Sequence, residues 1–278
     1  MLDESSSDKI TLQTKGGNMA LRSIRSRPVL LHLAMAAVLA SCGGKGGSPE
    51  EPTSEEKDDP LWAVDMKPDM EKSCKQGDGD ACVMLGVMLH EGQGLPQDPA
   101  AARAAFATGC DADKAEACFL LGTMMADGAG GPEDDAAARA MFEKACSGGD
   151  PGGCHLLGMM MLEGVGGSED EEKARILFAK ACDDGEPRGC YVLGRLSYDM
   201  GGTEKDMVDA RGLFQKACQM GDGGSCLMLA IMWEKGEGGD KDADMAVLVL
   251  QRACELGEDD ACEAVEGKGL EVVPPPGD

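Results

Sequence analysis

Twelve cysteines carry the first chemistry legible in this chain. Cys74, Cys110, Cys146, Cys182, Cys218 and Cys254 lie 36 residues apart, and so do Cys82, Cys118, Cys154, Cys190, Cys226 and Cys262. Each member of the first set precedes one of the second by eight residues, which gives six C-x7-C pairs. Such pairs can oxidise to disulfides or hold a thiolate-bound metal. Equivalent cysteines of adjacent units would stand about 8–10 Å apart, a helix-packing distance, beyond the ~7 Å Cα limit for a bridge. Pairing within each C-x7-C is therefore the expected connectivity, and each small ring contributes about 2.5 kcal/mol by loop entropy. The competing reading is zinc. Two sulfurs without nearby histidines make a poor zinc site, and only His155 adjoins a pair. No metal or other cofactor is expected.

Serine chemistry is weaker. Ser6-x-x-Lys9 and Ser54-x-x-Lys57 have the spacing of a serine acyl-enzyme, but the Ser-Asp-Asn and Lys-Thr-Gly partners are missing. Neither match falls where a base or oxyanion hole could be pre-organised, so no catalytic residue is assigned. The chain holds only His32, His90 and His155, and no G-x-S-x-G, H-E-x-x-H, P-loop or Rossmann fingerprint.

The elements that position the cysteines repeat with them. Gly153–Arg188, shifted by 36 residues, lands on copies of itself that begin at Ala81, Ala117, Gly189 and Ser225; a further start at Ala261 stops short. A fixed period of this length marks a solenoid or array. Each unit reads as two helices. In the third, Cys154, Leu157 and Met161 share one face of a helix over about Cys154–Glu163, which Gly164 and Gly166 stop. Ser168, with Glu171 three residues on, has the spacing of a capping box for the second helix. Ala174, Leu177, Phe178, Ala181 and Cys182 give that helix an amphipathic stripe. Columns hold across units: Gly86, Gly122, Gly158 and Gly194 in the first helix, Phe106, Phe142, Phe178 and Phe214 in the second. One hairpin cannot bury its apolar faces alone, whereas stacked neighbours can. Met88, Met124, Met160 and Met232 share a column and read as core filler. Arg103, Arg139, Arg175 and Arg211 form a ladder expected to pair with acids, for which Asp98, Asp134, Asp170 and Asp206 lie near in sequence.

The pattern ACxxLGxxx…GxG…KAxxLFxKAC resembles Sel1-like repeats, αα-hairpin relatives of the tetratricopeptide family, and the paired cysteines resemble the Helicobacter cysteine-rich protein type. The likeness covers about Leu61 to Gly267. The usual tyrosine late in the first helix is replaced by Leu89, Met125, Met161, Ser197 and Trp233. The resemblance implies an all-α, right-handed αα-hairpin solenoid with one disulfide per repeat. It also implies penicillin binding or weak β-lactamase activity, which no residue pattern here supports.

Composition bounds the partners. The 278 residues carry a net charge of −25. The first 41 hold three acids and five bases, so the remainder is more acidic still. Such a surface repels phosphate backbones and excludes nucleic acid; it favours basic partners. Thirteen cysteines indicate an oxidising compartment.

In chain order, residues 1–18 read either as an extension or, with Met19 as the true start, as an over-called one. Residues 19–41 read as a signal peptide: Arg22, Arg25 and Arg27, then an apolar core from Val29 to Leu39 too short to span a membrane. Leu39-Ala40-Ser41-Cys42 resembles the bacterial lipobox, which implies acylation of Cys42 and firm membrane anchoring. The expectation is a bacterial cell-envelope lipoprotein, on the outer membrane, with its repeats in the periplasm or at the surface. Residues 42–60 read as a disordered Gly-, Pro- and Glu-rich tether. A repeat domain spans 61–267: a half unit 61–80 with a helix over about Pro68–Lys75, units 81–116, 117–152, 153–188, 189–224 and 225–260, and a cap 261–267. A Pro-rich tail, 268–278, ends the chain.

Beside the constant core stripe of the first helices runs a stripe that changes from unit to unit: Val83, Val87, His90; Phe119, Thr123, Ala126; His155, Met159, Leu162; Tyr191, Arg195, Tyr198; Leu227, Ile231, Glu234. Columns free of the stacking rule are candidates for recognition. Phe119, His155, Met159, Tyr191, Arg195 and Tyr198 are the candidate contacts for a protein or peptide, with aromatics as anchors.

Overall fold

The computed structural model describes residues 61–200 and 203–267, the side chains of residues 61–65 and of Met200 excepted. The signal, Cys42, the tether, the Pro-rich tail and both Ser-x-x-Lys matches lie outside the described residues. Regular structure among the described residues is entirely helical: α1 Leu61–Lys75, α2 Gly79–Glu91, α3 Pro99–Asp111, α4 Ala115–Asp127, α5 Asp135–Ser147, α6 Pro151–Glu163, α7 Glu171–Asp183, α8 Pro187–Met200, α9 Glu204–Gln219, α10 Gly223–Lys235, α11 Ala243–Glu255 and α12 Asp259–Gly267. Even-numbered helices open each repeat, and odd-numbered ones from α3 on close it. The described residues fall into two compact units, divided between Gly189 and Cys190.

Two terminal helices start earlier than the sequence indicates. α1 begins at Leu61 and carries Pro68 inside it, where a helix start at Pro68 is expected. The cap helix begins at Asp259, not Ala261.

Within residues 61–189 each helix packs on the next in sequence. Aspartates start many of the helices. Asp78 and Asp150 cap α2 and α6; Asp98, Asp134 and Asp170 cap α3, α5 and α7, each carboxylate accepting from a backbone N–H of the first turn. The cap of α7 is thus Asp170, bonded to the Lys173 N–H at 3.0 Å, and not Ser168. The reason is tertiary. The Asp170 N–H donates to the Met161 carbonyl at 2.8 Å, closing the hairpin onto α6, and Asp98 to Leu89 and Asp134 to Met125 repeat the bond. Left-handed Gly92, Gly128 and Gly164 end the first helices.

Packing inside a hairpin turns on a missing methyl. A Cβ on Gly86, Gly122 or Gly158 would stand 2.4, 2.8 and 2.8 Å from Phe106, Phe142 and Phe178, and those rings are essentially fully buried. Met88, Met124 and Met160 fill the same core.

Packing between repeats turns on a loop. A Cβ on Gly130 would fall 2.2 Å from the Pro99 carbonyl, and one on Gly166 2.3 Å from the Asp135 carbonyl. Each inter-helix loop therefore lies directly on the first turn of the preceding repeat's second helix. The arginine ladder holds it there. The Arg103 guanidinium donates to the Pro132 carbonyl at 3.1 Å, and Arg139 to the Ser168 carbonyl at 3.1 Å and the Val165 carbonyl at 3.2 Å. These arginines thus bond carbonyls of the next repeat, not the expected aspartates, which are occupied as caps. Arg175 does pair with an acid, Glu171, at 2.9 Å. At the other end of the second helices, lysines reach backward: Lys144 donates to the Cys110 carbonyl and Lys180 to the Cys146 carbonyl, the latter at 3.0 Å.

Residues 190–267 repeat the scheme. Phe214 faces Gly194, Thr203 and Asp206 form a capping box on α9, and Gly238 lies on the Met207 carbonyl. Arg211 reaches the Asp240 carbonyl at 3.4 Å and stacks 3.4 Å above the Trp233 ring.

Disulfides Cys74–Cys82, Cys110–Cys118, Cys146–Cys154, Cys218–Cys226 and Cys254–Cys262 have Cα separations of 4.4–4.7 Å, within the range a bridge needs. Cys182 and Cys190 are disulfide-bonded too. The expected one disulfide per repeat is found; the five bridges with these separations each join the end of one helix to the start of the next across a short turn, whose left-handed residue is Asp113 between Cys110 and Cys118 and glycine in the other four.

Three polar side chains, His90, Thr123 and His155, are buried in residues 61–189. His155 is 9% exposed, packs its ring 5.8 Å from that of Phe178, and its Nδ1 has no hydrogen-bond partner among the described residues. Burial, with a smaller contribution from Arg188, lowers its pKa to about 4.

Three outcomes follow from this packing. Gly166→Ala adds a clash to the backbone strain, whereas Gly185→Ala, with open space around its Cβ, adds strain alone. Thermal melts should show about 1–2 kcal/mol lost for Gly185→Ala and about 2 kcal/mol more for Gly166→Ala; equal losses would mean that the loop does not dock as described. Strong reductant should lower the melting temperature while leaving helical circular dichroism at low temperature, because the rings act chiefly on the unfolded chain. Because the pKa of His155 is depressed by folding, its contribution is full above about pH 6.5 and fades as pH falls toward 4, by up to roughly 3 kcal/mol. His155→Phe should therefore flatten the loss of stability between pH 6.5 and 4, and superimposable profiles would refute the burial argument.

Candidate protein-interaction face

The variable stripe of the first helices is partly consumed by packing: Val83, Val87, His90, Thr123 and His155 are buried, while Phe119 and Met159 are half-buried. Residues at i, i+3, i+7 and i+11 fall along one side of a helix. On α4 these are Glu116, Phe119, Thr123 and Asp127; on α6 they are Gly152, His155, Met159 and Glu163. On α2 they are Asp80, Val83, Val87 and Glu91, where the two valines are buried.

In residues 61–189 the face is built around Phe119. Its ring is half-buried and lies 6.1 Å from that of Phe142, tilted by 50°. A Cβ on Gly152 would stand 3.2 Å from it, so glycine at the start of α6 makes room for the ring to lie over the next repeat. Met159 is half-buried one repeat on. His155, between them in the pattern, is buried and forms the floor. Thr123 is buried and returns its hydroxyl to the Phe119 carbonyl at 2.9 Å.

Acids close both ends of the stripe. At the start, Glu116 is raised above the usual carboxylate range by desolvation, which the nearby Lys114 opposes. Asp150 is raised by burial against the bond it accepts from the Gly153 N–H, with Glu116 and Glu186 adding repulsion. At the far end Asp127 is raised by desolvation and then by Glu133, and Glu163 by desolvation. Glu163 Oε1 is buried without a hydrogen-bond partner among the described residues. Sequence reasoning missed Asp127 and Glu163. The signal was available in the column Glu91, Asp127, Glu163 and Asp199, acidic in four repeats before Lys235 in the fifth, but a criterion that looked for change from one repeat to the next passes over it.

Residues 190–267 carry the other three candidates, with different chemistry. Tyr191 packs 6.0 Å from Phe214. Arg195 donates to Asp199 at 3.3 Å, while its buried Nε has no partner among the described residues. The Tyr198 hydroxyl donates to Glu237 at 2.9 Å; burial and that acceptor raise its pKa. The six candidates therefore do not form one described site. Phe119, His155 and Met159 share one unit; Tyr191, Arg195 and Tyr198 share the other. No group of three or more His, Cys, Asp or Glu side chains with metal-binding geometry occurs among the described residues, and no described helix is long and apolar enough to cross a membrane.

No curated protein matches the chain. Among solved structures it is similar to a protective antigen of uropathogenic Escherichia coli strains displaying an SLR fold, with TM-score 0.68 and 23% identity over 88% of this chain and 51% of that one. The chain thus spans about half the length of that antigen. It is similar to a Sel1 repeat protein from Oxalobacter formigenes, with TM-score 0.65 and 24% identity over 79% of this chain and 90% of that one. A third likeness is to Helicobacter pylori cysteine rich protein B, with TM-score 0.40 and 24% identity over 49% of this chain and 96% of that one. At these identities the first two likenesses show the fold alone. The Sel1 repeat itself matches residues 79–104, 115–150, 151–186, 187–222 and 224–258, in register with the hairpins described above, and the chain belongs to the Sel1 repeat family.

Proposed function

We propose that the chain is a bacterial cell-envelope lipoprotein, anchored through acylated Cys42, whose Sel1 repeats form a non-catalytic scaffold for binding a protein or peptide. The observation that carries the binding reading is the division of labour within each first helix. The columns that pack hold glycine against phenylalanine in four repeats and Ala230 with Leu250 in the fifth, while the adjoining stripe changes side chain from repeat to repeat and keeps Phe119 and Met159 half-buried. Membership in a family whose repeats mediate protein–protein contacts supports the same reading. A face held by disulfides and loop docking needs little ordering when a partner arrives, so less of the interaction energy is lost to entropy. The anchoring reading rests on Leu39-Ala40-Ser41-Cys42 behind a basic and then apolar segment, and on Cys42 being the one cysteine outside the C-x7-C pairs.

Two measurements test these halves separately. In a bacterial host fed an alkyne fatty acid, the chain should take up label and sediment with membranes, and Cys42→Ser should lose both; label retained by Cys42→Ser would remove the anchor assignment. A photo-crosslinking residue at Phe119 should give discrete adducts in cells, while the same residue at Ile176, 63% exposed on α7, should not. Equal adducts at both positions would remove the binding face.

A further inference from the structure

Among the described residues, no ion pair reaches Asp127 or Glu163, the acids at the far end of the stripe. Arg103 and Arg139 are committed to loop carbonyls, Lys180 to the Cys146 carbonyl and Asp184, and Lys173 to Asp170, while Arg188 acts electrostatically on His155, not on these acids. Each sits in the last turn of its helix, where the negative end of the helix dipole adds to the carboxylate. A second acid, Glu133, adds repulsion at Asp127, and Glu169 holds the corresponding loop position beside Gly164. The corresponding loop positions in the other unit are Lys205 and Lys241, so the single sign belongs to this unit and not to the repeat in general. Beside the acids lies the apolar part of the face, Phe119 and Met159.

We propose that the face of α4 and α6 takes a basic, extended peptide segment, with apolar side chains on Phe119 and Met159 and lysine or arginine side chains at Asp127 and Glu163. This deepens the binding reading and rests on it. Asp127 and Glu163 are equivalent positions one repeat apart, and packed helices of this kind repeat at about 10 Å. An extended segment in the polyproline II conformation rises about 3.1 Å per residue with three residues per turn, so side chains three residues apart share one face at about 9 Å. The two cationic side chains are therefore three residues apart in the bound segment. The raised carboxylates at both positions agree with a site whose counter-charge arrives with the ligand: a cation stabilises the ionised form that desolvation disfavours.

The test uses the oxidised chain from Cys42 onward and fluorescein-labelled dodecapeptides of repeating Lys-Leu-Ser, Glu-Leu-Ser and Ser-Leu-Ser, read by fluorescence anisotropy. The lysine peptide should bind and the glutamate peptide should not. The double substitution Asp127→Asn with Glu163→Gln should weaken binding at least tenfold and flatten its salt dependence. Phe119→Ala should weaken it as well. A matched neutralisation of exposed acids on second helices, Glu143→Gln with Glu172→Gln, should leave it within twofold, and all variants should retain wild-type helicity. Equal losses in the two double variants would overturn the proposal in favour of diffuse attraction to an acidic protein. Binding of Ser-Leu-Ser as tight as that of Lys-Leu-Ser, still lost in Phe119→Ala, would overturn the basic class while leaving the face intact. If no peptide binds, the proposal falls and Phe119 and Met159 are packing residues.

Discussion

The structure depends on how closely one repeat's loop can approach the preceding repeat's second helix. At Gly130 and Gly166 that approach leaves no room for a Cβ against the Pro99 and Asp135 carbonyls. The same loops turn carbonyls toward Arg103 and Arg139. An arginine is suited to this because its planar fork meets several acceptors at once and stays charged at any accessible pH. The glycine fixes the distance and the arginine fixes the register. The constancy of the 36-residue period follows: an inserted residue in the loop would misplace either the glycine or the acceptor carbonyl.

This docking and the disulfides act on different parts of the problem. Each bridge spans one short turn and limits the unfolded chain locally; it says nothing about how repeats stack. Loop docking, with the lysines reaching back to the Cys110 and Cys146 carbonyls, joins repeat to repeat. A chain with 3% aromatic residues has few large side chains to bury, and its core is one phenylalanine, one leucine and one methionine column repeated. In a stacked array stability is a sum of unit and interface terms, so modest cores can be sufficient when each unit is stapled and each interface is hydrogen-bonded. On the first helices of residues 61–189, Phe119 and Met159 of the variable stripe stay half-buried at the surface, while Val83, Val87, Thr123 and His155 are taken into the core.

Much of this was legible in the sequence, and the failures have a common cause. Period, hairpin, glycine–phenylalanine columns and C-x7-C pairing are visible because each is written in residue identity. Partners of the arginines were not, because a carbonyl acceptor has no letter of its own; nearby aspartates looked like the natural partners and are in fact helix caps. Ser168 fits a capping box by spacing, yet Asp170 caps α7, since the bond from its N–H to the Met161 carbonyl sets where the helix can begin. His155 reads as an exposed anchor because its column is shared with Phe119 and Tyr191, but burial of a column member depends on the side chains around it. The boundary between the two compact units, inside an unbroken repeat pattern, has no counterpart in the sequence that we can identify.

The charge of the proposed binding face draws on sequence and structure together. Sequence shows an acidic chain, a property that by itself concerns solubility and steering. Structure shows that the acids are not equivalent. Those on the second helices include Glu171 and Asp184, paired with Arg175 and Lys180 in water, where such pairs contribute little. Asp127 and Glu163 are partly desolvated, have no ion pair among the described residues, and lie on the same helix sides as Phe119 and Met159. Holding carboxylates in that state costs folding free energy, and a cationic side chain offsets that cost only when it binds. A surface organised in this way discriminates by sign: an acidic segment would meet both the desolvation and the repulsion, while a basic one relieves them. The proposed selectivity for basic partners therefore rests on where two carboxylates sit, not on how many the chain contains.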